Sequence, residues 1–94
     1  MHFVIYSVDK TGHGELRQRT RPAHLEYLNQ FDDAIYSSGP LLDDEGTGMI
    51  GSLLIVDFPD RKAAEAFAAG DPYAKAGLFA STRVTRWRKA RPAS

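Results

Sequence analysis

The stretch Ile50–Phe58, IGSLLIVDF, decides the fold class of this chain. Its residues are aliphatic and β-branched on both parities, with Leu53 and Ile55 on one side of an extended backbone and Leu54 and Val56 on the other. A solvated sheet face would show polar residues at alternate positions. The pattern therefore predicts a strand that is covered on both faces.

The same two-sided pattern recurs at His2–Val8 (HFVIYSV), which predicts a second covered strand. Two further strands are expected at Ile35–Leu42 and Ala80–Arg88. The Gly39-Pro40 pair interrupts the first of these, and since proline cannot donate to a ladder, it indicates an edge or a bulge.

Helical periodicity occupies the segments between these strands. From about Pro22 to Ile35, spacing at ~100° per residue places His24 inside one apolar stripe, with Thr20 or Arg21 expected at the N-cap. An alanine-rich helix is expected at Arg61–Ala69. One short additional turn follows, in which Asp71 has the position of an N-cap and Pro72 that of the first helical residue.

The resulting order β-α-β-β-α-β predicts an α+β ferredoxin-like sandwich, an antiparallel sheet with both helices on one face. We expect a single domain over residues 1–88 and a short basic tail over residues 89–94. Because two strands are apolar on both sides, something must also cover the face away from the helices. In a chain of 94 residues a second copy is the simplest cover, so we expect a homodimer.

Composition excludes several classes of function. Twelve basic residues balance 12 acidic ones, so the charge that drives nucleic-acid binding is absent. A mean hydropathy of -0.37 without a long apolar run argues against membrane insertion. The chain has no cysteine, and its histidines, His2, His13 and His24, lack metal-ligand spacing, so no metal site is expected. The first residues do not resemble a signal peptide, which favours the cytoplasm.

Two residues are candidates for acid–base chemistry. His24 lies in an apolar stripe, where an imidazole can serve as a general acid or base, or as a core histidine bonded to a backbone carbonyl. Asp71 is suited to orient that ring, but it is equally suited to cap a helix. We predict that the two side chains meet beside a cavity.

Four motifs occur in order along the chain, and late apolar and aromatic positions complete them. They are Arg17-x-x-x-Arg21-x-x-His24-x-x-Tyr27-Leu28, Ser38-Gly39-Pro40-Leu41, Gly51-Ser52-Leu53 and Asp71-Pro72-Tyr73, followed by Phe79, Val84 and Trp87. Together they resemble the YciI-like (YCII-related) domain family over essentially the whole chain. The resemblance implies a dimeric α/β barrel with an active site on His24 and Asp71, and activities of hydrolase, lyase or dehydrochlorinase type on small organic acids.

Our hypothesis is a small-molecule enzyme with His24 as general acid/base. Gly39 and Pro40 would shape the pocket wall, Ser52 would offer a hydroxyl, and Arg21 could reach an anionic group or simply be solvated. Tyr73 stands where the family often has phenylalanine and could add a hydroxyl.

The alternative is a non-catalytic module that binds a small ligand or a partner on the same dimer. The resemblance implies no cofactor; if a barrel of this kind held haem, His24 would be the candidate ligand.

Overall fold

A computed structural model describes residues 1–93, so Ser94 of the expected tail lies outside the described residues. The elements follow the expected order, and a 3-10 turn at Asp32–Ala34 is added. They are β1 (His2–Asp9), α1 (Gly14–Gln30), β2 (Ile35–Leu42), β3 (Met49–Asp57), α2 (Arg61–Gly70), α3 (Pro72–Lys75) and β4 (Phe79–Trp87).

The strands form one antiparallel sheet of four, in the order β2-β3-β1-β4. The two strands with apolar residues on both parities, β1 and β3, occupy its centre, where a strand is paired on both edges. This confirms the α+β ferredoxin-like sandwich, the architecture on which dimeric α/β barrels are built.

One parity of each central strand forms the core. Phe3 and Ile5 pair in register with Val56 and Leu54, and all four side chains are at most 3% exposed. Phe67 of α2 packs onto them, and apolar residues of α1 complete the cluster. Both helices therefore cover this side, which we call the inner face.

The opposite parity forms the outer face, defined here by Val4, Tyr6, Leu53 and Ile55. Tyr6 is 42% exposed, and the other three are half-buried within the single chain. The outer face thus carries apolar side chains that no helix among residues 1–93 covers.

The predicted bounds of the first helix are wrong. The helix begins at Gly14, two turns before Pro22, and ends at Gln30, where the Phe31 N–H bonds to the Leu28 carbonyl. His13, rather than Thr20 or Arg21, occupies the N-cap position. Pro22 lies inside the helix, although it cannot donate a backbone hydrogen bond there.

The reason is tertiary. The turns before Pro22 carry Arg17, whose side chain is buried and bound to groups on the sheet. These contacts offset the backbone hydrogen bond that Pro22 cannot donate. The periodicity of apolar residues does not reveal them, because the side chain that makes them is charged.

The later helices begin where the capping residues predict. Asp60 accepts a hydrogen bond from the Ala63 N–H at 2.8 Å, and Asp71 accepts one from the Tyr73 N–H at 2.9 Å. Gly77 then ends the α3 region with a φ of 78°, a conformation that favours glycine. Among residues 1–93, no helix combines the length and the apolar character that crossing a membrane requires.

Candidate active site

A cavity of about 200 Å³ lies between α1, α3 and the inner face of β2 and β3. Because a water occupies about 30 Å³ of liquid, the cavity has room for a molecule that replaces roughly six waters, the size of one small ring. Leucine, methionine, glycine and proline form much of the wall. The polar side chains of the wall are Arg17, Arg21, His24, Ser38, Ser52 and Tyr73.

His24 projects from the middle of α1 and is 7% exposed. Its Nδ1 lies 2.8 Å from Asp71 Oδ1, across 47 positions of sequence. Since an ionised carboxylate can only accept, Nδ1 carries the proton and donates it to Asp71. In the neutral ring, this hydrogen bond places the proton on Nδ1 and leaves Nε2 unprotonated. His24 lines the cavity, and Nδ1 is already engaged, so Nε2 is the ring nitrogen available to a bound molecule.

The position of Asp71 is determined by local sequence. Pro72 follows it at the first position of α3, and Asp71 Oδ1 caps that short helix through the Tyr73 N–H. The same oxygen accepts the hydrogen bond from His24 Nδ1. Asp71 is 5% exposed, so both hydrogen bonds form in a largely dry environment, where they are stronger than in water.

The Tyr73 ring packs against the imidazole ring of His24. The two rings are stacked with centroids 4.0 Å apart and planes 18° from parallel. The guanidinium carbon of Arg17 lies 4.6 Å from the Tyr73 centroid. Tyr73 thereby restricts the rotation of the imidazole and links it to the next polar group of the wall.

Arg17 is held by a buried ion pair. Its Nε donates to Asp9 Oδ2 at 2.7 Å and its Nη2 to Asp9 Oδ1 at 3.1 Å, a bidentate arrangement. Nη2 also donates to Ser52 Oγ at 2.9 Å. The fork is fixed by β1 on one side and β3 on the other. It presents a rigid positive charge and a serine hydroxyl at the cavity wall.

The other predicted residues also line the cavity. Gly39 and Pro40 lie on the wall formed by β2, and Ser52 lies on the wall formed by β3. Arg21 is exposed and, like Arg17, lines both this cavity and a second, neighbouring one. No salt bridge to Arg21 occurs within residues 1–93.

Two residues of the site, Arg17 and Asp9, were not predicted as such. A signal for Arg17 exists: it lies seven positions before His24, so both point to the same side of one helix. Arg17 is buried but charged, so it does not belong to the apolar stripe of this helix. For Asp9, at the end of β1, no local signal marks it as a partner of Arg17.

This chain is similar to known proteins over most of its length. The model of the YCII-related domain matches residues 1–88. Protein YciI of Escherichia coli is 35% identical over 96 residues, with 95% of this chain and 98% of the relative covered. An uncharacterized protein of Haemophilus influenzae is 34% identical at the same coverage.

A solved structure is similar over nearly the whole chain. It is 5-chloro-2-hydroxyhydroquinone dehydrochlorinase (TftG) from Burkholderia phenoliruptrix, in complex with 2,5-dihydroxybenzoquinone. The two chains are 36% identical, superpose with a TM-score of 0.89 and cover 97% of each other. On the family model, the relatives and the shared fold, this chain belongs to the YCII-related domain family.

Proposed function

We propose that this protein is a lyase-type enzyme that acts on a small oxygen-bearing ring or organic acid, with His24 as general acid/base and Asp71 as its orienting partner. The observation that carries the proposal is the 2.8 Å hydrogen bond between these side chains at the wall of a cavity of one-ring size. A histidine that served only the core would have no open volume in front of it.

The acid–base role follows from the tautomer. Nε2 of a neutral His24 accepts a proton from an acidic O–H or C–H group of the substrate. The imidazolium that forms is stabilised by the Asp71 carboxylate at Nδ1 and by the stacked Tyr73 ring. The same nitrogen then releases the proton to the leaving group or to water, which regenerates the neutral ring.

Arg17 and Ser52 supply the complementary charge. Removal of a proton leaves negative charge on a substrate oxygen, and a guanidinium with a neighbouring hydroxyl is suited to bind it. Asp9 holds the guanidinium in place through two hydrogen bonds, so little reorganisation is needed when that charge develops. Catalysis would then require only a proton acceptor and an oxyanion site, the roles proposed here for His24 and for Arg17 with Ser52.

The reaction class is an elimination. On a hydroxylated ring it proceeds from the keto tautomer, in which the carbon that carries the leaving group is saturated. His24 removes the proton of a hydroxyl conjugated with that carbon, and the electron pair of the O–H bond forms a C=O bond. The ring double bond shifts onto the carbon that carries the leaving group, which departs with its own bonding pair, so the net loss is one proton and one leaving anion. Similarity to the dehydrochlorinase TftG supports this class and makes chloride a candidate leaving group. The hydroxylated quinone bound in that neighbour supports a small oxygenated ring as the ligand.

We further propose that the enzyme is a homodimer, in which the outer faces of two sheets pack against each other. Val4, Leu53 and Ile55 are half-buried on this face and Tyr6 is 42% exposed. Contiguous apolar surface of this kind is favourable to bury against a second copy.

The test is chloride release from chlorinated hydroxyhydroquinones, with His24→Asn as the active-site variant. General acid–base catalysis contributes 10²–10⁴-fold, so we expect the rate to fall by about 100-fold or more. Arg17→Lys keeps a positive charge but not the bidentate fork, and we expect it to lower the rate while the protein remains folded.

The chain offers matched controls for both changes. His13 is part of the loop before α1, where its Nδ1 pairs with the Thr11 carbonyl, and Arg61 donates to the Val84 carbonyl away from the cavity. His13→Asn and Arg61→Lys should therefore retain the wild-type rate. Binding of these compounds without chloride release would contradict the enzymatic proposal and favour a ligand-binding module.

A further inference from the structure

Tyr73 has a buried ring that stacks on His24, and a hydroxyl that has no role in the proposed elimination. The residue is 1% exposed, and its ring contacts His24, Arg17 and Phe79. Its backbone N–H is satisfied by Asp71. No hydrogen bond involves the hydroxyl within residues 1–93.

The hydroxyl must nevertheless reach open space. Within residues 1–93, every side-chain oxygen or nitrogen sealed from solvent has a hydrogen-bond partner. The unpartnered Tyr73 oxygen is therefore not sealed, and the cavity that Tyr73 lines is the open volume beside it. The residue is almost wholly buried, so this hydroxyl is open to the cavity alone and is presented as a hydrogen-bonding group to whatever occupies it.

Tyr27 provides the contrast. It is a half-buried tyrosine of the helical layer, and its hydroxyl donates to the Phe67 carbonyl at 2.9 Å. Burial raises the pKa of both phenols above the ordinary value, so both remain protonated and can donate at neutral pH. Of these two phenols, Tyr73 is the one whose donor is unengaged among residues 1–93.

We propose that the Tyr73 hydroxyl is a specificity-determining subsite that binds a second oxygen of the substrate, distinct from the oxygen bound by Arg17 and Ser52. This inference rests on the proposed function and narrows its substrate class to rings with at least two oxygen substituents. A ring that lacks the second oxygen leaves the buried phenol unpaired, which is how a polar site rejects a less oxygenated analogue.

The experiment measures dissociation constants of phenol, catechol, resorcinol and hydroquinone by NMR titration of the full chain. The three dihydroxy isomers differ from phenol by one oxygen and from each other by its position. For the wild type, we expect at least one isomer to bind about five- to tenfold more tightly than phenol, the gain from one hydrogen bond. In Tyr73→Phe that gain should disappear while phenol binds as before.

Tyr27→Phe is the matched control, since it removes a hydroxyl that the protein itself uses. It should lower the melting temperature and leave the preference for the dihydroxy ring intact. Tyr73→Phe should leave the melting temperature unchanged, because no protein group loses a partner.

Three results would overturn the inference: retention of the preference in Tyr73→Phe, failure of every dihydroxy ring to bind better than phenol, or a loss of thermal stability in Tyr73→Phe equal to that of Tyr27→Phe. The proposed function is judged separately by His24-dependent chloride release. A Tyr73-dependent preference in a protein that releases no chloride would support the subsite and reject the elimination.

Discussion

Asp71 Oδ1 accepts two hydrogen bonds, one from His24 and one from the N–H that begins α3. These roles separate under mutation, because asparagine caps a helix about as well as aspartate but carries no charge. Asp71→Asn should therefore keep its unfolding free energy within about 0.5 kcal/mol, and Asp71→Ala should lose about 0.5 to 2 kcal/mol in urea denaturation.

The chemical role predicts a different ranking in activity. Without the carboxylate, the imidazolium form of His24 is no longer stabilised, so Asp71→Asn should lower the rate of chloride release by about 100-fold despite normal stability. If Asp71→Asn is both fully stable and fully active, Asp71 serves only as a helix cap.

Arg17 illustrates how one side chain serves both stability and chemistry. Its side chain and that of Asp9 are 6% and 8% exposed, so neither charge is well hydrated. Removal of one partner from such a pair costs about 3–5 kcal/mol, since the other charge is left buried alone. Truncation of Arg17 to alanine would therefore confuse unfolding with loss of catalysis, which is why the lysine variant is the informative one.

At the scale of elements, the approach of β3 to β1 depends on Gly51. A Cβ at this position would overlap the Ser7 carbonyl oxygen and lie 2.8 Å from Leu41 Cδ1. Because the first obstacle is backbone, it cannot rotate away. We expect Gly51→Ala to lower the unfolding free energy by about 1–3 kcal/mol, measured by urea denaturation.

Gly39, on the neighbouring strand β2, is the control for that substitution. A Cβ there meets nothing within 4 Å, so Gly39→Ala should leave stability unchanged or slightly raised. Equal losses in the two variants would show that strand glycine as such, and not the close approach at Gly51, determines the effect.

At the scale of the whole molecule, the prediction concerns association. Light scattering at micromolar concentration should give a mass about twice the 10.4 kDa of one chain. Tyr6→Lys places a charge in the centre of the outer face and should shift the protein toward the monomer.

Leu25→Lys is the matched control for Tyr6→Lys, because the two side chains are almost equally exposed. Leu25 is 41% exposed, against 42% for Tyr6, but it lies on α1, on the opposite side of the sheet. It should leave the dimer intact. A wild-type protein that is monomeric in this measurement, or equal dissociation by the two variants, would contradict packing through the outer face.

The sequence by itself determined the type and order of the elements. The signals for these elements are local, since each depends on residues close together in the sequence. They are the strand parity at His2–Val8 and Ile50–Phe58, the caps Asp60 and Asp71, and the glycine-bearing turns. Because Arg17 is buried but charged, it adds nothing to the apolar periodicity, and the predicted helix start lies two turns too late.

Only the tertiary structure decided which parity of β1 and β3 faces the helices, because a strand apolar on both sides is compatible with either orientation. It also decided the partner of Arg17 and the open hydroxyl of Tyr73. These features depend on distances between side chains that are far apart in sequence or on different layers. Such distances follow from how the layers pack, and the residue pattern within one element does not encode them.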